Sequence, residues 1–278
     1  MSRGTLYIVA TPIGNLDDIT RRAEETLRKV DIIAAEDTRH TMKLLNSLGI
    51  KNTLFSFHEH SGRERAEALV ELLEEGKNVA LVSDARTPII SDPGAPLTEL
   101  AAQRGIEIVP IPGPCAAISA LTVGAISAEK FIFEGFLPKD KGQRRRELER
   151  IAENPFTSVL YESPHQLKKT LADLAALIPE RRAAICKEMT KIYESICRGT
   201  VAELEQAFAQ GDVKGEYVIV LEGAGQKSAE ASDEEILEQV ARLLEQGMSG
   251  KNAVKAAAEM LNVNKNRVYQ LYLEQKEN

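Results

Sequence analysis

Short apolar runs that break off into glycine- and proline-bearing turns, with an amphipathic stretch between one run and the next, limit this chain to an alternating strand–helix fold. Residues 6–10, 79–82 and 106–111 are such runs, and each reads as a buried strand. They open into Thr11-Pro12-Ile13-Gly14-Asn15, into Ser83-Asp84-Ala85-Arg86-Thr87-Pro88 running on to Ser91-Asp92-Pro93-Gly94, and into Pro112-Gly113-Pro114-Cys115-Ala116-Ala117. Helical spacing recurs in residues 17–29, 41–48, 61–75 and 95–104, the last three stopping at Gly49, Gly76 and Gly105. Further strands at 31–36 and 54–57 complete a unit that favours a parallel sheet with covered faces. Ligands of such sheets bind beyond the carboxyl ends of the strands, so three turns there mark one cleft. Glycine lets backbone approach a ligand, and proline fixes the turn. Taken singly, each turn is equally a plain loop.

A second unit follows. Its strands are expected at 131–133, 158–162, 184–187, 195–197 and 217–222, and its helices at 116–121, 141–152, 165–176 and 201–209. Two successive strands near 184 and 197, with no helix between them, imply a mixed sheet. Residues 223–231 read as a linker, and Ser232-Asp233-Glu234-Glu235 opens a helix to about 246 as a capping box. Helices at 250–261 and 265–274 follow, joined by Asn262-Val263-Asn264. This is either a helix-turn-helix-like module presenting Lys265, Asn266, Arg267 and Gln270, or a helical cap that packs Leu237, Val240, Leu243, Val254, Leu261 and Val268 together. The expected domains are 1–112, 113–224 and 232–278.

No phosphate-loop spacing occurs, neither G-x-x-x-x-G-K-[ST] nor G-x-G-x-x-G, so nucleoside triphosphates and Rossmann dinucleotides have no support. No apolar run approaches the roughly 20 residues that span a bilayer, and the first residues lead straight into a strand rather than a signal peptide. Cys115, Cys186 and Cys197 make neither an even set nor a metal-ligand spacing; a reducing cytoplasm is the expected compartment. His58 and His60 read as solvated loop residues, so no metal site is expected. The formal charge of −7 runs against an RNA partner, but the charge is uneven. Lys139, Lys141, Arg144, Arg145, Arg146 and Arg150 face only three acidic residues between 139 and 150. Such a run is either a solvated helix face or a phosphate-binding one.

Taken together and in order, these turns resemble those of the tetrapyrrole methylase family, and within it the ribosomal RNA small-subunit methyltransferase I subfamily. The resemblance is carried by residues 6–16, Ala34-Ala35-Glu36-Asp37-Thr38-Arg39-His40, the 83–94 segment and 112–117. It continues through Glu134-Gly135-Phe136-Leu137-Pro138, Tyr161-Glu162-Ser163 and Lys187-Glu188-Met189-Thr190-Lys191, covering about residues 4–223. It implies two α/β domains with the cofactor cleft between them, plus the small C-terminal helical module. The implied reaction is methylation of a cytidine ribose 2′-hydroxyl in 16S rRNA of the small ribosomal subunit, with S-adenosylmethionine as cofactor, by a cytoplasmic homodimer that does not touch membrane.

The resemblance also implies where that cofactor lies. Pro12 and Ile13 would line it from the first turn, Asp84 and Thr87 from the second, and the small residues Cys115, Ala116 and Ala117 would admit it from the third. Tyr161, Glu162 and Met189, with Tyr217 and Val218, would wall the adenine, since aromatic and sulfur faces suit a purine; plain core packing is the alternative for Met189 and Tyr217. A ribose hydroxyl is a poor nucleophile and needs an acceptor for its proton. The charged residues at strand ends, Glu36, Asp37 and Arg39 in one place and Lys187 and Glu188 in another, are the candidates. Asp37 or Thr38 capping the next helix, and Arg39 pairing with Glu36, are the structural alternatives. Arg144, Arg145, Arg146, Lys265 and Arg267 are the candidate RNA contacts. One departure is Arg86, which stands where the family pattern Ser-Asp-Ala-Gly-Thr-Pro has glycine and would crowd the cofactor. Two other functions stay open: methylation of a precorrin- or uroporphyrinogen-type tetrapyrrole, and a catalytically impaired RNA- or ribosome-binding protein.

Overall fold

The computed structural model describes residues 2–58, 61–84, 87–89, 94–225, 231–261 and 263–277. Arg86, His60 and part of the second turn lie outside them. The chain forms two compact units, residues 1–223 and 224–278.

The first half of the larger unit runs β1 (Thr5–Val9), α1 (Arg21–Lys29), β2 (Ile32–Ala35), α2 (Thr38–Ser47), β3 (Thr53–Ser56), α3 (Gly62–Glu74), β4 (Val79–Val82), α4 (Ala95–Gln103) and β5 (Glu107–Ile111). All pairings are parallel, in the order β3-β2-β4-β1-β5. β2 and β4 are buried at every position, as inner strands covered by helices on both faces must be. One face packs Leu69, Leu73 and Leu97, the other Leu27, Ile33 and Leu45. Pro110 removes one ladder donor, which is tolerated because β5 is an edge strand. α2 starts at Thr38 rather than 41 because the Asp37 carboxylate accepts the Arg39 amide and caps it.

The order fixes where a ligand belongs. From β1 the chain crosses to β2 on one side, and from its neighbour β4 it crosses to β5 on the other. β1 and β4 are therefore a topological switch point, and their carboxyl ends open a crevice.

The second half continues with α5 (Ala116–Val123), β6 (Phe131–Phe136), α6 (Lys141–Glu153), β7 (Thr157–Glu162), α7 (Pro164–Leu177), β8 (Arg182–Lys187), β9 (Ser195–Thr200), α8 (Val201–Ala209) and β10 (Tyr217–Leu221). Its sheet has the order β6-β7-β10-β8-β9, with β6 and β7 parallel and the other pairs antiparallel, a mixed sheet. The pleat sends Val159, Tyr161, Cys186, Val218 and Val220 to the face under α5. It sends Leu160, Ile185, Tyr217, Ile219 and Leu221 to the face under α6, α7 and α8. β6 is longer than its expected 131–133 because a bulge between Phe133 and Gly135 lets the strand continue.

The smaller unit holds α9 (Asp233–Glu245), α10 (Gly250–Met260) and α11 (Lys265–Glu277). Ser232 and Glu235 exchange side-chain and backbone bonds in the expected capping box. Ile236, Val240, Leu243, Val254 and Val268 form a core of its own. Among the described residues no helix is long and apolar enough to cross a membrane.

The cysteines differ sharply. Burial raises the Cys186 thiol to about 11, whereas Cys197 is exposed. Iodoacetamide at pH 8 is expected to label Cys197 in the native protein and to reach Cys186 only after denaturation, because the thiolate is the reactive form. Peptide mass spectrometry reads both; native labelling of Cys186 at the Cys197 rate would contradict this packing.

Candidate functional site

Side chains stitch the turns at the switch point together. Thr11 Oγ1 donates to the Ser83 carbonyl at 3.0 Å, joining the ends of β1 and β4. The Asp37 amide donates to Asp84 Oδ1 at 3.0 Å, joining β2 to β4. Thr87 Oγ1 donates to the Pro114 carbonyl at 3.4 Å, joining the second turn to the third. Asp84 and Thr87 thus hold the floor of the crevice in shape. Pro12 is buried beneath it.

Beside this floor is a cavity of about 280 Å³, lined by Ile13, Ala116, Phe136, Tyr161, Glu162, Ser163, Pro164, Met189, Glu216, Tyr217 and Val218. Small-molecule sites begin at roughly 300 Å³. The lining comes from the first turn, the head of α5, the carboxyl ends of β6 and β7, the turn after β8 and the start of β10. Because β10 runs antiparallel to β7 and β8, its start lies at the same edge of the sheet as their ends. Ile13, Ala116, Tyr161, Glu162, Met189, Tyr217 and Val218, all named from the sequence, meet here. Cys115 heads α5 without a side-chain cap bond, and the Ala117 amide donates to Tyr161 Oη at 3.3 Å.

The adenine wall expected from Tyr161, Glu162, Met189, Tyr217 and Val218 draws on both faces of the second sheet. Tyr161 and Val218 belong to the α5 face, while Tyr217 packs with the opposite face. Glu162 also turns that way, bonding Thr170 of α7. The four meet only at the sheet's rim. The Tyr217 ring lies edge-on to Phe208, 6.2 Å between centroids, and its hydroxyl donates to the Lys214 carbonyl, so it is a packing residue as well as a lining one.

Phe136, Ser163, Pro164 and Glu216 are not among the site residues expected from the sequence. For Phe136 a signal existed in Gly135, a glycine inside a strand. Gly135 has φ +66°, and Glu134 is the extra residue of the bulge. The Glu134 carboxylate accepts from Ser158 Oγ and Arg150, which pins it. Simple alternation puts Phe133 and Phe136 on opposite faces. With the bulge both rings reach Tyr161, at 4.9 and 5.6 Å between centroids.

The turn after β8 approaches the first turn closely. A Cβ on Gly14 would stand 2.4 Å from Lys191 Cγ, so only glycine fits. Lys191 Nζ donates to Glu188 Oε1 and Glu216 Oε2, both at 2.9 Å, and Glu188 Oε1 also accepts the Glu216 amide. Partial burial works to raise the Glu188 carboxyl, but the bonds from Lys191 and the Glu216 amide, with the Lys191 and Lys187 charges, hold it below the usual range. Glu188 and Thr190 have φ +50° and +67°, a strained backbone for non-glycine residues. They flank Met189 and present its side chain to the cavity.

The five residues proposed for proton handling form two groups, and none lines the cavity. Asp37 caps α2 and pairs with Arg39 at 2.8 Å. The hydrogen bonds from the Arg39 side chain and amide hold its carboxyl at about 2, against a small opposing effect of burial. Lys187 ends β8, half-buried.

Two of the RNA candidates have partners within the protein. Arg144 is 5% exposed; Nη2 donates to Thr170 Oγ1 at 2.6 Å and Nε to Asp173 at 3.1 Å. Its place on α6 faces α7, so its guanidinium is engaged in these internal bonds rather than displayed as that of Arg145 is. Arg267 binds Asp233 at 2.7 Å and the Ala231 carbonyl, which ties α11 to the head of α9. Arg145, paired with Glu149, and Arg146 and Lys265 are exposed.

Comparison with known proteins agrees with this geometry. Residues 5–205 match the family model for Tetrapyrrole (Corrin/Porphyrin) Methylases, and residues 230–276 match the RsmI C-terminal HTH domain. The chain is 45% identical over 276 residues to the ribosomal RNA small subunit methyltransferase I of Haemophilus influenzae, covering 97% of this chain and 96% of that protein. It is 43% identical over 277 residues to the protein of the same name from Halalkalibacterium halodurans, covering 97% and 95%. Among solved structures, the methyltransferase CobJ aligns with a TM-score of 0.60 at 20% identity, over 80% of this chain and 95% of that one. The Thermus thermophilus uroporphyrin-III C-methyltransferase complexed with S-adenosyl homocysteine aligns at 0.56 and 16%, over 79% and 97%. These last two are likenesses of fold.

Proposed function

The chain belongs to the tetrapyrrole methylase family, and from that premise we propose that it is an S-adenosylmethionine-dependent methyltransferase acting on a cytidine ribose 2′-hydroxyl of 16S rRNA in the small ribosomal subunit. The observation that carries the reading is the cavity beside the switch point, where Ile13 of the first turn, the head of α5 and one edge of the second sheet converge. Near-full-length relatives at 43–45% identity bear the name of that enzyme.

The lining suits the cofactor. Ile13, Ala116, Phe136, Tyr161, Met189 and Val218 give the apolar and aromatic surface that a purine needs, and the carboxylates of Glu162 and Glu216 supply acceptors for its polar groups. When bound, the cofactor supplies an electrophilic methyl carbon to the ribose oxygen. The chain's own contribution is position and electrostatics. The stitched turns fix the floor, and the Lys191–Glu188–Glu216 network fixes the turn that bears Met189. Asp37 caps α2 and pairs with Arg39, and Glu188 bonds Lys191. The charged groups of the two strand ends, Glu36, Asp37 and Arg39 in one place and Lys187 and Glu188 in the other, are together the candidates for proton handling. Residues 1–112 and 113–224 act as the two walls of the site, and 232–278 as a helical module for the RNA.

The test uses small subunits from cells that lack this protein, incubated with it and methyl-labelled S-adenosylmethionine. Nucleoside mass mapping is expected to find the label as a 2′-O-methylcytidine in 16S rRNA. Label on a base, or only on an added tetrapyrrole, sinks the reading.

The exposed cations of α6 give a second expected result. Arg145→Ala with Arg146→Ala should weaken RNA binding and flatten its salt dependence, because fewer phosphate contacts release fewer counterions. Two contacts lower the slope of log K against log salt by roughly 1.4–1.8. Affinity for S-adenosylmethionine should not move. An unchanged slope would mark α6 as a solvated face.

A further inference from the structure

Glu162 is the one carboxylate of the lining that is itself buried, at 5% exposure, and it ends β7 at the cavity edge. Its two oxygens are held differently. Oε1 accepts the Ser163 amide at 2.8 Å, closing the corner between β7 and α7. Oε2 accepts from Thr170 Oγ1, in the second turn of α7. Thr170 is wholly buried and does not line the cavity. Behind it, Arg144 Nη2 donates to the same hydroxyl oxygen at 2.6 Å, while Arg144 Nε reaches Asp173 at the surface groove between α6 and α7.

The direction of this chain of bonds follows from chemistry. A guanidinium has donors only, so the Thr170 oxygen must accept from Arg144, and its one hydrogen is left for Glu162. The guanidinium therefore orients the hydroxyl, and the hydroxyl orients the carboxylate. Each link is buried where an unmade bond is costly, about 1–3 kcal/mol, so the rotamer of Glu162 is set from behind by residues that never meet the ligand. A carboxylate oxygen accepts more than one bond. Each oxygen keeps acceptor capacity beyond the one bond it makes to the protein, and Glu162 lines the cavity, so it suits an N–H or O–H donor of a ligand.

We infer that Thr170 and Arg144 are positioning residues for cofactor binding: they aim the Glu162 carboxylate, and with it the Ser163–Pro164 corner, at the polar groups of the bound S-adenosylmethionine. This rests on the cavity being the cofactor site, and it adds to that reading two residues from outside the cavity.

The experiment compares Thr170→Val, which keeps the shape and removes the hydroxyl, with Thr170→Ser, which restores the hydroxyl. Calorimetric titration of the full chain with S-adenosylmethionine, and separately with S-adenosylhomocysteine, reads affinity; melting curves confirm that each variant is folded at the assay temperature. Thr170→Val is expected to raise Kd for both compounds about tenfold and to raise the apparent KM for the cofactor alike. Its kcat at saturating cofactor is expected to stay within about twofold. Thr170→Ser should return Kd to within about twofold of the parent protein. A packing role alone would lower the melting temperature of Thr170→Val and leave Kd where it was, which overturns the inference. Should Thr170→Val not fold, Arg144→Lys decides. It keeps the charge but lacks the fork that serves Thr170 and Asp173 together, so a severalfold higher Kd supports the inference and parental Kd overturns it. If the parent protein itself binds neither compound, the cofactor reading fails before this comparison is reached.

Discussion

Ala116→Phe is expected to abolish S-adenosylmethionine binding in a protein that still folds. Ala116 is the first residue of α5, half-buried, and its methyl group faces the cavity. A phenyl ring at that place enters the open space of about 280 Å³ rather than the packed core. The usual penalty for overpacking, about 1–3 kcal/mol, applies to cores that have no such space. The ring would lie among Ile13, Tyr161, Met189 and Val218, the surfaces assigned to the ligand. Loss of that space should raise Kd at least about 100-fold, roughly 2.7 kcal/mol, while the melting temperature stays within a few degrees. Titration calorimetry beside a thermal melt measures both. A Kd within threefold of the parent protein would place the cofactor elsewhere.

Ala116 is legible through the family resemblance, and the segments that carry that resemblance are local. The turns after β1, β4 and β5 announce themselves through glycine and proline, and their neighbours in sequence are their neighbours in space. Ile13 and Ala116 follow from the resemblance that these turns carry. Asp37 as a cap follows too, since a cap is a matter of two residues. What the sequence hides depends on pairings far apart in the chain. Arg144 looks like one more member of a basic run, because nothing local tells that its side of α6 meets Thr170 and Asp173 of α7. Arg267 looks like a recognition-helix cation, yet its partner Asp233 is 34 residues away. Tyr161 and Glu162 look like one wall, but a strand's alternation sends them to opposite faces. Glu216 is tied into the site by its bonds to Lys191 and Glu188, residues of another strand's end and turn. The overall architecture is more legible than the site because strand–helix alternation recurs along the whole length, whereas each long-range bond occurs once.

Gly135→Val is expected to cost both stability and cofactor affinity, because one glycine decides which face of β6 carries Phe136. Its φ of +66° lies in the left-handed region, where a residue with a Cβ loses about 1–2 kcal/mol and a β-branched one is worse placed still. Gly135 is buried and opposes Leu160 in the ladder, so the strain cannot be relieved into solvent. In a unit of this size each kcal/mol lowers the melting temperature by roughly 2–4 °C, which puts the expected fall at about 2–8 °C. The chain has one escape, which is to remove the bulge. Glu134 would then take a ladder position, its bonds to Ser158 and Arg150 would break, and Phe136 would swing to the other face, as any one-residue slip requires. With the bulge gone, Phe136 leaves Tyr161 and the cavity wall. Gly135→Asn is the control, since asparagine tolerates this backbone better than other non-glycine residues. It should recover most of the lost stability and binding. Melting temperature and S-adenosylmethionine Kd, measured for both variants, test the argument. A valine variant that matches the parent in both would mean that the bulge does not place Phe136.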